Sequence, residues 1–210
     1  MNVVQVPTKV RNLAIQFHRS MICAFAFISI WSTGAFAQTS HPHAAPSQQA
    51  QSEDQKNNQS ALIKIVRDAT ERFQDVAEAG REGYTLQFGC VSGPDQGAMG
   101  LHFVNFDLVS RGIIDPTRPQ IVIYEPTGDG HLKLIGVDFL LIASVWDADK
   151  THTGPPQLMG QLFHFWESPN RFGLPAFYTL HIWAWKENPN GAFVNWHPNV
   201  SCQQFNGQAQ

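Results

Sequence analysis

The sequence predicts an α+β domain: one amphipathic helix near the N-terminus packed on a mainly antiparallel sheet or barrel-like β domain. Three observations predict it. Helical apolar spacing occurs once, between about Ser60 and Ala79; six apolar segments rich in Val, Ile, Phe, Tyr and Trp follow it; and most of the connections between them are short, which favours antiparallel pairing because parallel crossovers need a dozen residues or more.

Residues 1–37 read as a secretory signal. Lys9, Arg11 and Arg19 precede the apolar run Met21 to Trp31, and Ala35-Phe36-Ala37 supplies a small-x-small cleavage site. The uninterrupted apolar stretch is too short for a bilayer core, which needs about 20 residues, so no stable membrane span is expected once the signal is removed. The predicted destination is periplasmic or secreted. Residues 38–60 are rich in Gln, Ser, Asn, His and Pro and read as a disordered linker, with His41 and His43 as solvated residues. Residues 61–210 then form a single α+β domain.

In the helix, Leu62, Ile65, Val66, Ala69, Phe73, Val76 and Ala77 recur at three- and four-residue steps, giving one apolar stripe opposite a charged face. Gly80 is placed to stop it. Strands are expected near Tyr84–Val91, Met99–Phe106, Gln120–Glu125, Leu132–Trp146, Gln161–Trp166 and Phe177–Lys186, separated by Gly- and Pro-containing turns.

Without the leader, eleven basic residues face 17 acidic ones, a formal charge of −6. The basic residues are spread singly, so no nucleic-acid ligand is expected. Gly-x-Ser-x-Gly, P-loop, dinucleotide-binding and His-Glu-x-x-His signatures are all absent from the sequence. Cys90 and Cys202 are the two cysteines beyond the leader. An exported pair is expected to form a disulfide, since zinc thiolate sites usually use a close Cys-x-x-Cys spacing.

His102, Glu125, His164 and His181 each sit in an apolar strand segment, where a polar side chain must find a partner. Burying one without a partner costs about 1 to 3 kcal/mol. Three arrangements meet that need: a shared metal, a shared metal-free pocket, or separate hydrogen bonds to the backbone or to Glu125. Imidazoles with a carboxylate suit zinc, iron, manganese or copper, so a mononuclear transition-metal site of three His and one Glu is the leading expectation, its reaction unspecified. Asp138, in the otherwise apolar run Leu134 to Ile142, is a candidate additional ligand. The alternatives are a binding module for a small-molecule ligand, with Trp146, Trp166, Trp183 and Trp185 as stacking walls, or a structural envelope protein. His131 and His152 are expected in exposed loops, and His197 at a rim.

Ligands drawn from separate strands loosely resemble cupin-type barrel sites, although His102 lacks the close His-x-His partner of those barrels. The stretches Met99-Gly100-Leu101-His102-Phe103-Val104-Asn105, Ile123-Tyr124-Glu125-Pro126, Leu180 to Gly191 and Trp196 to Cys202 resemble a group of uncharacterised secreted bacterial proteins. That resemblance implies export and carries no activity; Asp138 stands where its pattern leads one to expect a glutamate.

Overall fold

The computed structural model describes residues 52–207. The predicted signal, His41, His43 and most of the predicted linker lie outside the described residues. Helix α1 spans Glu53–Thr70 and so starts seven residues before Ser60. Ser52 caps it by accepting from the Gln55 N–H, and Glu53 and Asp54 complement the positive end of the helix dipole. These polar residues face solvent, which hides the first turns from a search for apolar spacing.

The expected helix to Ala79 is interrupted. Thr70 leaves helical geometry, a 3-10 turn follows at Glu71–Gln74, and Asp75 caps a separate α2 at Val76–Arg81. At the break, the buried Thr70 hydroxyl donates to the Val66 carbonyl and accepts the Trp185 indole N–H. Gly80 lies inside α2.

Each expected strand segment contains strand, although the bounds differ. β1 is Thr85–Ser92, β2 Ala98–Val104, β3 Ile121–Pro126 and β4 Leu132–Ile142. Between β2 and β3 lies α3, Phe106–Arg111, capped by the Asn105 side chain. The long fourth segment ends early in α4, Ala143–Trp146. The fifth divides into β6, Gln161–Leu162, which pairs with β5, Gln157–Leu158, and β7, His164–Trp166. β8 is Phe177–Ile182, where the Ala184 N–H turns back onto the Ile182 carbonyl.

The main sheet has the order β1-β2-β3-β4-β8-β7, antiparallel throughout. One face, carrying Leu101, Val122, Tyr124, Val137, Phe139 and Ile182, packs under Leu62 and Val66 of α1. The other carries Ile121, Ile123 and Leu140 and packs against Trp183 and Val200 from the C-terminal segment. Cys90 and Cys202 form the expected disulfide, with a sequence separation of 112 residues. Among the described residues, no helix is long and apolar enough to cross a membrane.

Candidate metal centre

Register places the polar residues of the second face. His102 on β2 pairs with Ile123 on β3, Ile121 pairs with Asp138 on β4, and Asp138 pairs with His181 on β8. Paired residues share a face, and so do residues two apart along a strand. His102, Asp138, Thr179 and His181 therefore point to the same side. On a flat sheet β2 and β8, three strands apart, would stand roughly 14 Å apart. Their imidazole Nε2 atoms nevertheless lie 3.4 Å apart, so the sheet is curled into a half-barrel with this face inside.

Among the described residues, His102, Asp138 and His181 are the group whose ligand atoms all lie within 4.8 Å of one another. All three are buried, with 3–5 % of their surface exposed. Two metal–nitrogen bonds of about 2.0 to 2.1 Å at a tetrahedral angle place their nitrogens about 3.4 Å apart, the separation seen between these rings. The three side chains can hold a single transition metal.

Hydrogen bonding favours the same reading. His102 Nδ1 lies 3.2 Å from the Gly100 carbonyl, which only accepts, so this nitrogen carries the proton and Nε2 of the neutral ring is a bare lone pair. His181 Nδ1 is buried with no hydrogen-bond partner among the described residues, 3.7 Å from Asp138 Oδ1. The Asn195 carboxamide biases this ring toward its charged form without reaching hydrogen-bond geometry. If His181 is protonated on Nδ1, two Nε2 lone pairs face each other. If it is protonated on Nε2, it donates to His102 Nε2 at 3.4 Å, and the buried Nδ1 lone pair faces the Asp138 carboxylate. A cation shared by His102, His181 and Asp138 relieves the first conflict. Asp138 Oδ1 is held by the Thr179 hydroxyl, which donates at 2.5 Å.

Burial lowers His102 to about 4, with the neighbouring His181 adding to the effect. Burial, followed by the field of His164, lowers His181 to about 3. Burial raises Asp138 to about 6, against the opposing Thr179 hydrogen bond. Above pH 6 the group therefore consists of two neutral imidazoles and a carboxylate.

The expectation of three histidines and one glutamate is overturned, because the cluster is two histidines and one aspartate. Glu125 is engaged elsewhere: its carboxylate accepts from Lys186 Nζ at 2.9 and 2.7 Å and from the Ser201 N–H. His164, on the edge strand β7, pairs with Thr179 of β8, but its ring is exposed and reaches the Phe193 carbonyl at 3.4 Å. His197 is fully buried rather than at a rim. It donates to the Glu187 carbonyl and accepts from the Asn199 N–H, so both ring nitrogens are satisfied within the fold. His131 is exposed, whereas His152 is half-buried and stacks on Trp146 at 3.5 Å.

A cavity of ≈ 20 Å³ adjoins the triad, room for about one water or ion. Aromatic rings wall it: Phe172 packs edge-on against Phe88 and Trp166, both at 5.5 Å, and Trp166 stacks on Phe177. Of the four tryptophans expected as stacking walls, Trp166 alone lines this cavity. Trp183 belongs to the core of the same face, while Trp185 crosses to the helix side, beside Arg67 and Thr70. Comparison with protein-family models, with curated proteins and with solved structures returned no match.

Proposed function

We propose that this is an exported protein that binds one transition metal ion through His102, Asp138 and His181 and leaves a coordination position open toward the aromatic-walled cavity. The observation that carries the reading is the convergence of His102, Asp138 and His181, whose ligand atoms all lie within 4.8 Å of one another and whose two imidazole Nε2 atoms lie 3.4 Å apart. Export is supported by the leader pattern of residues 1–37 and agrees with a disulfide, a bond that persists in oxidising compartments.

Two imidazoles and a carboxylate with open positions are a ligand set used by zinc in hydrolysis and by iron in oxygen chemistry. Apart from the three ligands, the cavity lining holds no titratable side chain. Proton transfer there would rest on metal-bound water or on the guest itself.

The test is metal analysis of untagged protein after exposure to zinc, iron(II), manganese(II) or copper(II) and dialysis. About one ion per chain is expected. His181→Ala and Asp138→Asn should abolish it while keeping the circular dichroism spectrum, and His164→Ala and Glu125→Gln should retain it. A folded parent protein that takes up none of the four metals would sink the proposal.

A further inference from the structure

The cavity beside the triad shares a wall with a larger apolar hollow. That hollow, ≈ 310 Å³, has Val104, Val109 and Ile142 in its lining, with Phe106 and Ser110 at the exposed side. Phe88, Leu140 and Leu174 line both spaces.

Phe88 is an unusual divider. Between the pairs Gln87↔His102 and Cys90↔Leu101, β1 carries two extra residues, Phe88 and Gly89, opposite none on β2. Phe88 sits at φ +63°, a left-handed conformation that bulky side chains rarely hold. Irregular backbone of this kind re-aims a side chain next to a site. Here it sets the phenyl ring at the junction of the two spaces, braced edge-on by Phe172.

The two compartments differ in size and chemistry. The space at the triad has room for about one water-sized group and meets imidazole, carboxylate and the proposed ion. The hollow is apolar apart from Ser110, whose hydroxyl already donates to the Asp107 carbonyl. We infer that the site takes a small amphiphile that presents one donor oxygen of a head such as a carboxylate to the space beside His102, Asp138 and His181 and holds its alkyl body in the hollow behind Phe88. This rests on the metal reading above. Asp138 alone would repel an anionic head, and a divalent cation reverses the sign of the site.

The probes are octanoate and acetate, titrated calorimetrically into untagged, zinc-loaded protein and into chelator-treated protein. Octanoate should bind the zinc-loaded protein at least roughly a hundredfold more tightly than acetate, since each buried methylene contributes up to about fourfold. Chelation should remove that binding. Phe88→Gly relaxes the backbone and opens the wall, and Ser110→Trp fills the hollow from its exposed side. Each should weaken octanoate tenfold or more and leave zinc content unchanged, and Ser110→Trp, which lies outside the triad cavity, should also leave acetate binding unchanged. The inference is overturned, with the metal centre intact, by zinc-loaded protein that binds the two acids equally, by octanoate binding that survives chelation, or by two variants with parental octanoate affinity. Protein that takes up no zinc or other metal overturns the metal centre and this inference with it.

Discussion

His102 and His181 show how far burial alone can move a titration. Both are held well below the ordinary imidazole value of 6.5, at about 4 and about 3, so the native metal-free protein resists protons that the unfolded chain accepts. Their contribution is whole above the unfolded value and is lost as pH falls from 6.5 through the folded values. Asp138 has the opposite sign. Its folded value, about 6, lies above the ordinary 3.8, so the cost of keeping it ionised is relieved as pH falls. Two groups oppose one, and the melting temperature of chelator-treated protein should drop between pH 6.5 and 4, with a shallower slope in His181→Leu. Equal slopes in parent and variant, measured by circular dichroism, would contradict the assignment. Thr179→Val removes the hydroxyl that holds Asp138 Oδ1. Zinc affinity should fall by about 10- to 100-fold, the usual effect of losing a partner that orients a ligand. Asp138 was legible in the sequence as the lone acid in an apolar run. Glu125 and His164 looked equally stranded, because the primary structure does not show the partners, Lys186 and the Phe193 carbonyl, that occupy them.

Among the elements, α1 and the sheet were foreseeable from periodicity, since both depend on which side chains leave water. Leu62, fully buried on the inner face of α1, ties the helix to the sheet. Leu62→Ala should cost about 2 to 5 kcal/mol in urea unfolding while zinc stoichiometry stays unchanged, because the helix covers the face opposite the triad. Breaks inside elements were not foreseeable in the same way. Thr70 ends α1 where its hydroxyl meets Trp185, 115 residues away, and no local signal reports that bond. β8 was expected to run on to Lys186. It stops at Ile182 because the Trp185 and Lys186 N–H groups turn to the Ile135 carbonyl, which sends Trp183 and Trp185 to different sides. Gly136 marks a related tertiary demand. A Cβ there would stand 2.7 Å from the Ile182 carbonyl oxygen, so Gly136→Val should destabilise the protein by about 1 to 3 kcal/mol through backbone crowding at the β4–β8 pairing.

For the whole molecule, the Cys90–Cys202 bond joins the bulged first strand to the C-terminal segment that covers the site face. A closed loop of this length stabilises by about 4 to 5 kcal/mol in the chain-entropy model. Cys90→Ser should therefore lower the melting temperature under oxidising conditions, and an unchanged value would remove the brace from the account of stability. Residues alone determined the amphipathic helix, six β segments, the cysteine pair and a set of polar side chains stranded in apolar strands. Periodicity and burial cost act over a few residues, so the chain order records them. Which of those side chains meet was decided by the curl of the sheet. Rings from β2 and β8 close to 3.4 Å only because the intervening strands bend, a property of register, bulges and packing on both faces.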